Sequence, residues 1–561
     1  MQSRLEIPSN PGFWGFSSLL VLPGALLVAA FWAETAGGPF WLRGNFDPDY
    51  FYLLDALNII NLTTPGHVYH PGTTVDWLAA LVVKAAYPLT GADAIINTVL
   101  ADPEFHLRLI GAVFLGLNGL GVLALGVAGY RVFGDLTSAW FLQIAPFVSM
   151  LVLKNSYHVK PEALLLLTGL VLAALSVMAL KPGLLDRFRA RFAIGYGVIA
   201  GFGVATKITA LPVFLLPVFV LGVGGGGKDE GGLAGGVRAI GLYGLAALLA
   251  LIVFTLPAAG AYDVFFAWMA KVSQGTGAYG GEAGAQEWTV YPANVLKLFK
   301  RPVFHVVFVL SGLMLAVAAW RRRQAIPPGV PLGGPQQSVE FRLLLGLWVS
   351  QLAHVALVAK QPNVLYLVPT FVLIPLAFVL VWRLAREMIG ARRPWDRLFR
   401  PGLALVLTVM VVAQGFGVSR LINESREKTR TALSVDAARF DRCARIYAYA
   451  ASSRSYALLL GDYVTGSKFA GRLAAQGPDN DYWLEHWWDQ SRLVFRGWRG
   501  PEDMPQVLAR YPCSVFRGSY WKIIDRLLPE ILPGVTFDAD CSAGKETILT
   551  RGVGCDGRLL L

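Results

Sequence analysis

The chain has 561 residues, 55% of them hydrophobic and 15% charged, with a mean hydropathy of +0.51. That composition excludes an ordinary soluble protein and points to a polytopic membrane protein. The formal charge of +12 does not argue for nucleic acid, because the basic residues cluster in short connections between apolar runs, as membrane topology requires.

Apolar runs of about 20 residues, each enough for a helix to cross ~30 Å of hydrocarbon, recur along most of the chain. The alternating segments of about 10 residues that a barrel needs are absent. The pattern predicts about eleven spans, at residues 14–33, 107–128, 138–153, 161–180, 193–207, 210–223, 238–258, 303–320, 342–359, 362–383 and 403–419. No cleavage pattern follows the first run, so that span is expected to be retained. The Arg-rich connections "LKPGLLDRFRARF", "WRRRQ" and "RLAREMIGARRPWDRLFR" all fall on one side of this arrangement. The positive-inside rule makes that side, and the N-terminus, cytoplasmic. Residues 34–106, the turn "KNSYHVKPE", residues 259–302 and everything after about 420 are then outside.

The first outer segment opens with "FDPDYFYLLDAL". Asp47 before Pro48 is a good helix N-cap, and Asp49 complements the helix dipole. Tyr50, Leu53, Leu54 and Leu57 would form an apolar face, and Asp55, Asn58 and Asn61 a polar one, so this helix is expected to lie along the membrane surface. An acid at its start would stand where a lipid-carried headgroup meets an acceptor. "HVYHPGTT" returns His67, Tyr69 and His70 to the same side; the broken helix makes metal ligation a weak reading, and hydrogen bonding to a phosphate is the preferred role for His70. The apolar stretch that follows, to residue 89, is read as interfacial in preference to spanning.

Lys160 and Glu162 stand at an outer helix start in "NSYHVKPEALLLL", where Glu ordinarily offsets the dipole. Lys207 interrupts two apolar segments in "GFGVATKITALPVF". A lone cation at membrane depth faces a partner or a cavity, which favours anion binding over simple snorkelling. The loop "FFAWMAKVSQGTGAYGGEAGAQEWTVYP" joins glycines and aromatics, Tyr279 among them, and could either close over a sugar or rest on the bilayer. "GVGGGGKDEGGLAGG" and "AIPPGVPLGGPQQS" read as flexible cytoplasmic loops.

After Gly417 the composition turns to a polar–apolar mixture long enough for a soluble domain. Strand-like "ARIYAYA" and "RLVFRGW" alternate with helix-like "KFAGRLAAQ" and "EDMPQVLARY", predicting a small α/β domain. All four cysteines, Cys443, Cys513, Cys541 and Cys555, lie in it. An even number confined to an outside domain favours disulfides over zinc, with the connectivity open. The expected organisation is a membrane domain over 1–420, with outer loops 34–106 and 259–302, and a periplasmic α/β domain over 421–561.

Over roughly residues 10–385 the order of "DPDYFY", "YHPGTT", "HLRLIGAVF", "SYHVKPEALLLL", "ATKITALPVF" and "NVLYLVP" resembles the GT-C class of membrane glycosyltransferases, especially bacterial relatives of protein O-mannosyltransferase and lipid A aminoarabinose transferase (glycosyltransferase families 39 and 83). The resemblance implies a GT-C-like fold with a C-terminal α/β domain. It also implies a polyprenyl-phosphate sugar as donor, and transfer at the outer face of a bacterial inner membrane to an envelope glycan, lipid or protein. By it Asp49 looks like the essential loop acid, with Asp47 the competing candidate. Lys207 and Tyr366 look like groups that hold the donor phosphate, and His70 stands where relatives often carry a basic residue. The chain departs from the family's pattern at "HPG", "KPE" and "LYLVP", which leaves the donor sugar and the second acid, with Glu162 as candidate, open. A divalent metal could assist, but the sequence requires no cofactor and shows no decisive ligand set. Two other classes stay open: a flippase or transporter of lipid-linked saccharides, and an envelope-glycan ligase or acyltransferase.

Overall fold

The structure is a computed structural model and describes residues 13–43, 49–222, 233–275, 289–299, 302–325, 338–389, 393–434, 440–448, 453–485, 494–518, 535–542 and 547–560. Asp47 and Tyr279 lie outside the described residues. The chain divides into two compact units, one of residues 1–30, 68–75 and 112–417 and one of residues 31–67, 76–111 and 418–561.

Seven helices among the described residues are long and apolar enough to cross a membrane: Gly15–Ala36, Pro103–Phe133, Pro161–Ala179, Ala234–Gln274, Val339–Ala359, Val364–Arg386 and Ala404–Arg430. Of the other expected spans, 303–320 lies in one continuous helix, Pro302–Ala325, and two are broken. Residues 138–153 split into helix Leu136–Gln143, a 3-10 turn Ala145–Phe147 and helix Met150–Asn155. Pro146 cannot continue a hydrogen-bonded helix, and the Ser149 side chain starts a new one by accepting from Leu151 N at 3.3 Å. Residues 193–207 form an 18-residue helix, Arg189–Thr206, whereas 210–223 begins as a 3-10 helix, Ile208–Leu215, and finishes as Leu216–Leu221.

The first unit is a helical bundle whose closest approach rests on small residues. Gly197 and Gly201 stand one turn apart on Arg189–Thr206, and a Cβ there would meet Tyr243 O at 2.6 Å or Ala247 O at 2.5 Å on the helix Leu233–Thr255. A small-xxx-small stripe is how two helices reach backbone contact where lipid offers no hydrophobic drive.

The second unit is built on a seven-stranded sheet: β1 (Ala444–Ala448), β2 (Asp481–Glu485), β3 (Val494–Gly497), β4 (Gly500–Pro501), β5 (Ser514–Gly518), β6 (Ala539–Asp540) and β7 (Thr547–Arg551), in the order β4-β3-β2-β1-β5-β7-β6. β1 runs parallel to β2 and β5, and the outer pairs are antiparallel. β1 and β5 are buried along their whole length, as central strands of a covered parallel sheet must be. Disulfides join Cys443 to Cys513, at the starts of the neighbouring strands β1 and β5, and Cys541 to Cys555. The last long helix does not stop near 420 but runs Arg393–Ser434.

Segments 31–67 and 76–111, expected within the membrane domain, are grouped with this α/β domain. The contacts are specific: Thr429 Oγ1 donates to Ala36 O at 3.0 Å, Asn58 Nδ2 to Thr465 O at 3.1 Å and Arg472 Nη1 to Asn97 Oδ1 at 2.9 Å.

Candidate functional site

In the bundle, Lys207 marks the point where the chain stops being helical. Its backbone is extended, Ile208 N donates to His70 O at 2.8 Å, and Pro71 and Lys207 form an antiparallel bridge. Backbone groups freed by a broken helix need partners when no water competes, and the "YHPGTT" segment supplies them. Beside the bridge the Thr74 and Thr206 hydroxyls share a hydrogen bond of 2.7 Å.

The Lys207 side chain is buried, and its Nζ donates to Glu162 Oε1 at 2.7 Å. The Tyr366 ring faces Nζ at 4.6 Å to the centroid. Glu162 stands in the first turn of Pro161–Ala179, and buried Lys160 at the N-cap also acts on its carboxylate. Two lysines, one carboxylate and an aromatic face therefore share a buried site with a net positive charge. A cationic site in a low-dielectric bundle suits an anionic headgroup. Lys160, Glu162, Lys207 and Tyr366 are brought together, and His70 joins them through its main chain.

His354, which the sequence reading passes over, supports this cluster. It is fully buried in Val339–Ala359, its Nδ1 is 2.7 Å from Thr370 Oγ1, and its ring interacts with the backbone of Thr209 and Tyr366. The available signal was an ionisable residue at membrane depth inside "SQLAHVALVA", the same signal that singled out Lys207.

In the second unit the expected acid helix forms over Asp49–Ile60 with Asp49 in its first turn. It does not lie along a membrane surface: every residue from Asp49 to Asn58 is buried in protein. The polar face explains the correction, because its Asp55 and Asn58 are consumed internally, and only Asn61, beyond the helix end, is exposed. Asp55 accepts from Gly66 N at 2.8 Å, His67 N at 2.9 Å and Asn58 Nδ2 at 2.9 Å. Burial lifts the Asp55 carboxyl to about 6, against the pull of those three donors. His67 is wedged edge-on between the Phe51 and Tyr52 rings, with centroids 5.3 and 5.5 Å away, which gives it a packing role. Tyr50 donates to Glu104 Oε1 at 2.8 Å, and burial, then Glu104, raise its phenol well above the usual range.

Asp76 was not singled out by the sequence. It is fully buried, its two oxygens have no hydrogen-bond partner among the described residues, and burial followed by the Asp55 charge raises its carboxyl well above the usual range. Among the described residues no three of His, Cys, Asp and Glu are grouped to hold a metal ion.

Fold and site define a class: a polytopic helical membrane protein with a buried lysine–carboxylate cluster and a disulfide-bonded α/β domain. No family model matches the chain, and no curated protein matches it. Among solved structures the chain is similar to that of ArnT from Cupriavidus metallidurans bound to undecaprenyl phosphate, at 13% identity and a TM-score of 0.43, over 95% of this chain and 98% of that one. A likeness of that degree carries no argument about chemistry.

Proposed function

We propose that the protein is a GT-C-type glycosyltransferase that moves a sugar from a polyprenyl-phosphate donor to an envelope glycan, lipid or protein at the outer face of a bacterial inner membrane. The observation that carries this reading is the buried pairing of Lys207 with Glu162 under the Tyr366 ring, with Lys160 beside it. It is a buried cationic site within a mainly apolar bundle.

In this reading Lys207, with Lys160, Tyr366 and His70, holds the donor phosphate and stabilises its charge as it leaves. Asp49 takes the proton from the acceptor hydroxyl, the hydroxyl oxygen bonds to the anomeric carbon, and the sugar–phosphate bond breaks with its electrons passing to the phosphate. One displacement inverts the anomeric centre. Glu162 serves as counter-ion to Lys207 rather than as a second acid, and the incoming phosphate takes over that role.

Purified protein supplied with a polyprenyl-phosphate sugar and membrane extract should transfer the sugar. Lys207→Met alone would strand a buried carboxylate, at about 3–5 kcal/mol, so the informative variant also carries Glu162→Gln. That double variant should fold and bind undecaprenyl phosphate about 10–100-fold more weakly, the worth of one charged hydrogen bond. Asp49→Asn should keep donor binding and lose about 10²–10⁴-fold in single-turnover transfer. Asp47→Asn should lose less, because Asn also caps a helix. Unchanged donor affinity in the double variant would remove the phosphate site. Normal turnover in Asp49→Asn would reduce that residue to a helix-start acid, and a larger loss in Asp47→Asn would move the base two residues upstream.

A further inference from the structure

Glu104 stands in the first turn of the helix that begins at Pro103, where a carboxylate ordinarily offsets the helix dipole. That role needs no partner, yet this carboxylate has three, all distant in sequence. Oε2 accepts from Phe40 N at 2.8 Å, and Oε1 accepts from Tyr50 Oη at 2.8 Å and, more weakly, from Trp41 N at 3.4 Å. Phe40 and Trp41 precede the acidic motif and Tyr50 follows it directly, so one carboxylate holds the chain on both flanks of "FDPD".

The entry side is tied further. Arg43 Nη2 donates to Glu34 Oε1 and to Gly38 O, both at 2.9 Å, and its guanidinium lies 3.7 Å from the Phe40 ring centroid. Arg108, one turn beyond Glu104, stands 3.8 Å from Glu34. The start of this helix therefore presents two charged side chains, four residues apart on one face, to the segment that delivers the acids. On the exit side, Asp49 is buried and acts electrostatically on the Tyr50 hydroxyl that Glu104 holds.

We infer that Glu104 is a positioning residue: its carboxylate clamps both flanks of the acidic motif and sets where the Asp49 carboxylate stands. The inference rests on the reading of Asp49 as the base. A base displaced by about 1 Å can cost about 10²-fold in rate while binding elsewhere is untouched. Glutamine preserves the clamp in outline, since its oxygen can accept from Phe40 N and its amide can donate to the Tyr50 hydroxyl. Alanine removes both arms, and Tyr50→Phe removes one.

The test uses the purified full chain with a polyprenyl-phosphate sugar for single-turnover transfer and undecaprenyl phosphate for binding. Glu104→Ala should lower transfer about 10²-fold with an unchanged Kd for the lipid phosphate, and Glu104→Gln should recover most of that loss. Tyr50→Phe should slow transfer by itself but add little to Glu104→Ala, because both act through one clamp. Normal transfer in Glu104→Ala, a loss that Glu104→Gln does not recover, or losses that add in full would overturn the inference. If Glu104→Ala does not fold, Tyr50→Phe decides, and an unchanged rate in it counts against the clamp. Asp49→Asn in the same assay separates the two levels. Normal turnover there takes down both the base and its clamp, whereas a dead Asp49→Asn beside a fully active Glu104→Ala takes down the clamp alone.

Discussion

Lys207 and Asp55 are both charged groups without water, and they solve that problem in opposite ways. Lys207 has a full counter-charge at 2.7 Å, so its pairing is ionic. Asp55 has mainly dipoles, the two backbone N–H groups and the Asn58 amide, with a weaker pull from the Lys468 charge, and burial outweighs them all. Its carboxyl titrates at about 6 in the folded protein against 3.8 ordinarily, so between those values the native state holds a proton that the unfolded chain has lost. The stability from that proton is present below about pH 4 and is lost as pH rises through 6, in total about 3 kcal/mol. Thermal unfolding of the wild type and Asp55→Asn from pH 4 to 7 should show a difference that moves by up to that amount across the window. Asp462, which burial also lifts to about 6, contributes equally to both proteins and cancels. A pH-independent difference would show that Asp55 is ionised throughout.

At the scale of elements, the acid helix is held by the turn that follows it. Gly66 passes so close to the end of helix Arg454–Val464 that an added Cβ would meet the Thr465 carbonyl carbon at 2.4 Å and its oxygen at 2.5 Å. The atoms in the way are main chain, so no side chain can swing aside. Gly66→Ala should therefore cost about 1–3 kcal/mol and appear as a lowered unfolding temperature; an unchanged temperature would mean the helix and turn separate easily. The existence of this helix was legible from its 3.6-residue pattern. Its environment was not, because Asp55 and Asn58 give the same periodic signal whether their face meets water or the N–H groups of Gly66 and His67. Strand β1 and the helices Ala470–Gln476 and Met504–Arg510 were equally readable, whereas β2, "DYWLE", opens on an Asp that reads as loop until Arg445 Nε is seen 2.6 Å from it.

Across the whole molecule, the two disulfides give the expected outside location of the α/β domain a direct test, since such bonds persist in oxidising compartments. Thiol labelling of intact cells should leave Cys443, Cys513, Cys541 and Cys555 unreacted until a reductant is added; labelling of all four without reductant would place the domain inside. Replacing Cys443 and Cys513 together by Ser should cost about 2–5 kcal/mol, read as a lowered unfolding temperature. Membrane class, most span positions, the break at Lys207 and the cysteine-bearing α/β domain came from the sequence by itself. Composition and periodicity are local properties, and the cost of burying charge in lipid leaves few arrangements open. Tertiary structure alone decided that Lys207 pairs with Glu162, that the acid helix is buried rather than interfacial, and that Glu104 reaches both Phe40 and Tyr50. Each of those depends on contacts between residues 45 or more positions apart, or on which partner a polar face meets, and no local pattern encodes either.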